Sequence, residues 1–261
     1  MLLFRGCANA STSASAALAV RPTTDTVGVG LLSYPGALAD PEAYAPIAEA
    51  VAEAGYEVVV LNLPVRLAPF ERHREQLTQR TRVFVRGEGE RREWVIGGHS
   101  KGGKLAAQFA RDHADDIVGL LLVGTSHPRE DDLSGLALDV TKGYGSEDGL
   151  ASEEVDRFRS NLPETTHWTR IEGGNHAQFG WYGWQLGDGR ATIRRTEQQA
   201  ATIRSILDQL RRVEEALRQA FEARPQYPRP QADPAFQRSR LVQVPALPSR
   251  RSTLAVTALG D

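Results

Sequence analysis

Trp94–Gly103 reads WVIGGHSKGG: an apolar run, then a serine between glycines, then the first residues of a segment with helical spacing. Gly98, His99, Ser100, Lys101 and Gly102 within it spell G-x-S-x-G. A serine on a sharp turn from strand to helix sits in strained backbone and needs neighbours without side chains, so that the chain can double back. Gly98 and Gly102 supply that room. The turn also leaves the hydroxyl at a helix N-terminus, where free N–H groups and the helix dipole favour negative charge developing on a bound carbonyl oxygen. At average glycine and serine usage the three fixed positions arise by chance in roughly one chain in ten of this length, but rarely between a strand and a helix. A glycine-rich turn with an incidental serine is the plain competing reading.

Working outward, short β-branched runs alternate with longer helical patterns, the rhythm of a parallel sheet wound with crossover helices. Val27 to Leu32, Glu57 to Leu61, Trp94 to Gly97 and Ile117 to Val123 read as strands that are nearly all apolar, as expected where both faces are covered. Val140 to Tyr144 and His167 to Ile171 are weaker strand candidates. Pro41 to Ala54 reads as a helix after the N-cap candidate Asp40, ended by Gly55. Lys101 to His113, Glu153 to Leu162 and Thr196 to Phe221 read as further helices. The fold class is therefore α/β, a mostly parallel central sheet with helices on both faces.

A serine needs a base to take its proton, and a carboxylate to fix that base's tautomer. Six histidines compete. His99 lies inside the turn, His113 ends a charged helix, His73 sits in an arginine-rich polar segment and His167 begins a strand. His127 follows the run ending at Val123 and is expected to line the pocket, but comes too early in the chain to be the base. His176, in Gly173-Gly174-Asn175-His176-Ala177, lies in a glycine-bearing loop directly after a strand candidate and is the best base. Asp148, in Tyr144 to Gly149, lies just past another, and the order Ser, Asp, His is the one used by serine turns of this kind. Glu147 is the rival acid, and turn chemistry alone also accounts for either residue. The backbone N–H groups of Gly36 or Ala37, in Ser33 to Ala37, would pair with that of Lys101 as an oxyanion hole. Phe179, Trp181, Tyr182 and Trp184 are candidate pocket walls with core packing as the alternative, and Tyr34 and His99 are further pocket candidates.

Composition narrows the partners. A formal net charge of -2 over 261 residues gives no global attraction to nucleic acid or to anionic membranes, so the expected partner is a small molecule. No apolar run approaches the roughly 20 residues that span a bilayer. One cysteine, Cys7, excludes an intrachain disulfide and leaves a reducing cytoplasm as the expected compartment, with export from a short N-terminal leader the alternative. No His, Cys and carboxylate cluster has metal-ligand spacing, so neither metal nor cofactor is expected. Three segments follow: residues 1–24 as a poorly ordered leader, 25–221 as the catalytic domain, and 222–261 as a disordered tail. Six of the fourteen prolines lie between Arg224 and Arg251.

Tyr34-Pro35-Gly36, Gly97 to Gly103, Tyr144 to Gly149 (YGSEDG) and Gly173 to Gly180 (GGNHAQFG), in that order, resemble the motifs of the α/β-hydrolase superfamily. More narrowly they resemble its small, bacterial, esterase-like group related to dienelactone hydrolases, over about Val27 to Leu210. The resemblance implies the α/β-hydrolase fold and a cofactor-free hydrolase of carboxylic esters acting through an acyl-enzyme. An acyltransferase, amidase or thioesterase with the same triad, and a catalytically silent binding protein of this fold, are the alternatives. Three departures stand out: Ala37 replaces the family's second glycine, Thr141-Lys142-Gly143 interrupts an expected apolar strand, and the leading antiparallel strands have little to match them. Only 23 residues separate Gly124 from Asp148, so little or no cap is expected over the cleft.

Overall fold

The computed structural model describes residues 10–13, 17–22, 28–87 and 92–223. Eight strands form one sheet: β1 (Ala10–Ser13), β2 (Ala17–Val20), β3 (Val29–Tyr34), β4 (Glu57–Leu61), β5 (Glu93–His99), β6 (Gly119–Val123), β7 (Asp139–Gly145) and β8 (His167–Ile171), in the spatial order β1-β2-β4-β3-β5-β6-β7-β8. β1 and β2 are antiparallel to their neighbours, and the six strands from β4 to β8 in that order run parallel. Every parallel strand therefore delivers the loop that follows it to the same edge of the sheet. Ser100, Gly124, Asp148 and His176 all follow such strands.

Alternation along the strands divides the core in two. Leu32, Val59, Leu61, Ile96, Leu120 and Leu122 face α2 (Glu71–Val85) and α3 (Lys101–Asp112), whose Leu77, Leu105 and Phe109 fill that layer. Leu31, Val58, Val60, Val95, Leu121 and Val123 face α1 (Ala45–Glu53) and the long α5 (Arg195–Glu222), which contribute Ile47, Val51, Ile206, Leu210 and Val213. Each such aliphatic side chain, fully buried, contributes about 1.5–3 kcal/mol to stability. The sandwich of helices on both faces thus explains why the central strands read as continuous apolar runs.

Several elements differ from the sequence reading. Ala10–Ser13 and Ala17–Val20, expected within a poorly ordered leader, are the two antiparallel strands at one side of the sheet, β1 at its edge and β2 between β1 and β4. Leu18 and Val20 pack into the α1–α5 layer while Ala17 and Ala19 point the other way, a two-residue period too short to stand out in an alanine-rich stretch. α2 went unread because only His73, Leu77 and Thr81 of its fifteen residues are buried, too thin a stripe to show through the charged residues. Glu153 to Leu162, expected as one helix, holds only part of the short α4 (Ser152–Val155) and a 3-10 turn at Arg159–Asn161. Between β6 and β7, residues 124–138 contain no helix or strand. The proline- and arginine-rich stretch expected as a tail lies, from residue 224 on, outside the described residues.

Candidate active site

Ser100 occupies the single residue between β5 and α3, at φ 55 and ψ −116. Those dihedrals are unfavourable for a residue with a Cβ and are held by packing on both sides. Ser100 N donates to Val123 O on β6 at 3.0 Å, and its carbonyl accepts from Lys104 N at 3.1 Å. A Cβ on Gly102 would lie 2.2 Å from Tyr34 O, so only glycine lets the first turn of α3 press against the end of β3. The G-x-S-x-G pattern is thus a steric requirement of this turn.

Asp148 and His176 come together from separate loops. The acid follows β7 and the imidazole follows β8, strands that are neighbours in register from Thr141↔His167 to Gly145↔Ile171. A Cβ on Gly145 would meet Gly174 O at 2.2 Å, which is how closely the two loops approach. His176 Nδ1 lies 3.0 and 2.9 Å from the two carboxylate oxygens, with Asp148 wholly buried and His176 2% exposed. Asp148 Oδ1 also accepts from Leu150 N and Ala151 N at 2.9 Å. With Nδ1–H donating to the carboxylate, Nε2 is left as the acceptor, and that buried atom has no hydrogen-bond partner. Glu147, the rival acid, instead accepts a hydrogen bond from the Ser146 hydroxyl at 3.0 Å.

The loop bearing His176 is braced by residues that the sequence reading did not single out. Asp188 accepts from His176 N at 3.0 Å and from Ala177 N at 2.8 Å. Gln198 on α5 bonds both backbone groups of Asn175, accepting from its N–H at 3.0 Å and donating to its carbonyl at 2.7 Å. A glutamine 23 residues along the chain from Asn175 carries no sequence signal for such a role. Only the return of α5 across the sheet brings it there.

A cavity of about 150 Å³ opens beside these residues, lined by Ser100, Lys101, Lys104, Gly124, Thr125, Ser126, His127, Leu150, Ala151 and His176. His127 is among the residues lining it. Burial, followed by the charges of Lys104, Arg129, Lys142 and Lys101, pushes its imidazole down to about 3, so it is neutral. The aromatic walls expected after the histidine are not there. Phe179 is a core residue on the α1–α5 side, Trp181 and Trp184 are exposed on the surface, and Tyr34 is buried with its hydroxyl 2.6 Å from that of Thr81. Tyr182 and His99 do not line this cavity, and the Tyr182 hydroxyl lies 3.4 Å from His99 Nδ1. A histidine-bearing loop rich in aromatics gives no indication of which side of the sheet edge those rings will fold toward.

His99, Tyr44 and Gly36 form one buried network. Gly36 N donates to the Tyr44 hydroxyl at 2.8 Å, and that hydroxyl lies 2.9 Å from His99 Nδ1. Burial, then the neighbouring His176, holds the His99 imidazole well below its ordinary range, so the ring that shares this hydrogen bond with Tyr44 is neutral. The Gly36 amide, one of the oxyanion candidates, is thereby committed to tyrosine. Ala37 and Lys101, past the end of β3 and at the start of α3, remain as oxyanion candidates.

A family profile described as the Alpha/beta hydrolase family matches residues 30–200, the span that carries β3 through the start of α5. The chain belongs to that family. No curated protein matches this α/β hydrolase. Among solved structures it is similar to a soluble variant of monoglyceride lipase from Saccharomyces cerevisiae in complex with a substrate analogue, at TM-score 0.60 and 11% identity over 81% of this chain and 97% of that one. It is also similar to an α/β serine hydrolase homologue from Coxiella burnetii, at 0.56 and 16% over 79% and 100%. A third is a protein assigned as a dienelactone hydrolase from Klebsiella pneumoniae, at 0.54 and 14% over 73% and 90%. At such identities the likeness is one of fold, and function has to be argued from the site. Among the described residues no His, Cys, Asp and Glu side chains are grouped to hold a metal ion, and no helix is long and apolar enough to cross a membrane.

Proposed function

We propose that this α/β hydrolase cleaves carboxylic esters of small substrates through an acyl-enzyme, with Ser100 as nucleophile, His176 as general base and acid, and Asp148 as the group that orients it. The observation that carries the reading is His176 itself. Its Nδ1 is held by both oxygens of a buried carboxylate, its Nε2 is unpartnered, and the residue lines the same cavity as the strained Ser100. Nε2 takes the Ser100 proton as the hydroxyl oxygen attacks the substrate carbonyl, and Asp148 stabilises the imidazolium that results. The developing oxyanion is met by the Lys101 and Ala37 amides. His176 then returns its proton to the departing alcohol, and water repeats the sequence to free the acid. The modest cavity and the helix-free segment 124–138 favour substrates that enter an uncapped cleft.

The test is p-nitrophenyl ester hydrolysis across acyl lengths from acetate to palmitate, beside labelling by a fluorophosphonate. Ser100→Ala and His176→Ala are expected to abolish turnover, and Asp148→Asn to lower kcat by about 10⁴-fold through the wrong tautomer. A protein inert to both esters and probe would remove the reading.

A further inference from the structure

Two lysines share the cavity with Ser100 and His176, and everything around them is unfavourable to a positive charge. Lys101 and Lys104 stand at the first and fourth positions of α3, at the positive end of its dipole, where anions are favoured and cations are not. They are three residues apart on one face of the helix, the spacing at which like charges repel. Partial burial, then the charges of Lys104 and Arg74, lower the pKa of the Lys101 ammonium. Neither lysine has a carboxylate partner among the described residues, although arginine–carboxylate pairs are spread over the rest of the surface.

The remainder of the wall does not compensate them. Arg129, near His127, is already paired with Glu154. Lys142 spends its ammonium on the His127 carbonyl. Thr125, Ser126 and the neutral His127 are uncharged, Leu150 and Ala151 are apolar, and no carboxylate lines the cavity. Ser100 and His176 line the same cavity, so a group held by the two lysines lies beside the reacting hydroxyl. A ligand seated between Ser100 and α3 and bearing a negative charge would relieve the dipole, the lysine–lysine repulsion and the missing counter-charge together.

We propose that the substrate is an anionic ester: a small acyl compound with a carboxylate that lies against the Lys101 and Lys104 ammonium groups while its ester carbonyl faces Ser100. The inference rests on the serine-hydrolase reading for its chemistry, but the anion site itself does not. A cavity of this order admits a group about the size of benzene, which limits the charge to a position a few bonds from the reacting carbonyl.

The experiment compares matched pairs on the purified protein. p-Nitrophenyl hydrogen glutarate is set against p-nitrophenyl valerate, with the charge on the acyl part. 4-Acetoxybenzoate is set against phenyl acetate, with the charge on the alcohol part. In at least one pair the anionic member is expected to have the higher kcat/KM by about tenfold or more, the size of one partly buried charge pair. That ratio should shrink with added salt, fall in Lys104→Gln and invert in Lys104→Glu.

In parallel, glutarate alone is titrated against thermal unfolding, where it should raise the Tm of the wild type and of Ser100→Ala but not of Lys104→Glu. Ester turnover with no anion preference in either pair overturns this proposal and leaves the hydrolase reading standing. A lysine-dependent Tm shift without any ester turnover does the reverse. If glutarate shifts nothing and no ester is cleaved, both fall.

Discussion

Lys142 sits in the middle of β7 at 2% exposure, a charge where its strand neighbours Val140 and Gly143 are apolar. Burial pushes its ammonium from 10.5 down to about 7. The group facing it is the His127 carbonyl, which accepts from Nζ, and the nearest titratable ring, His127, is itself neutral. Because the pKa is lowered on folding, the unfolded chain holds more protons than the native one between pH 7 and 10.5. Stability therefore rises with pH across that window, with the full penalty present below it.

The gap between 10.5 and about 7 corresponds to a penalty on the order of 5 kcal/mol at low pH, and roughly half of it is relieved between pH 6 and pH 9. Lys142→Met keeps the length of the chain and removes the titration. It also removes the bond to the His127 carbonyl, a pH-independent loss of about 1 kcal/mol. Urea unfolding of both proteins at pH 6, 7, 8 and 9 reads the difference, because all other titrations cancel. The wild type should gain roughly 2–3 kcal/mol on the variant from pH 6 to pH 9, with the variant the more stable at pH 6. A stability difference that does not change across those four pH values would refute the account of Lys142 as a buried lysine whose pKa falls on folding.

Two other substitutions test the local geometry. Gly102→Ala places a Cβ 2.2 Å from Tyr34 O and 2.5 Å from Pro35 O, backbone atoms that cannot yield, so a loss of about 3 kcal/mol is expected in the urea midpoint; a wild-type midpoint would show that the turn is looser than described. Tyr44→Phe leaves the buried Gly36 amide without its acceptor, at about 1–3 kcal/mol, and an unchanged stability would mean that this amide finds another partner.

The alternation of apolar runs with helical spacing was enough to identify a wound parallel sheet, because strands covered on both faces must be apolar throughout. The serine turn was equally legible, since its glycines answer a clash that any chain making this turn would meet. Positions just past strand ends marked Asp148 and His176 for the same reason: parallel strands send their following loops to one edge. What escaped was whatever depends on partners distant in sequence. β2 is recognisable as a strand only once β4 lies beside it, and α2 only once the sheet supplies a surface for its narrow apolar stripe.

Within the site, the residue types near the serine could be read off the chain, but not their directions. The aromatics after His176 fold into the core or out to solvent rather than into the cavity, and the Gly36 amide goes to Tyr44. Lys142 is accommodated inside the sheet because burial lowers the pKa of its ammonium to about 7 and the His127 carbonyl accepts its hydrogen bond. Lys101 and Lys104 acquire their meaning only from the cavity they share with Ser100 and His176. The sequence by itself determined the fold class and which loops bring Ser100, Asp148 and His176 to one edge of the sheet, because backbone sterics and strand burial are local or periodic. Only the tertiary structure decided which side chains face the cleft and what charge it presents, because those depend on contacts between elements far apart in the chain.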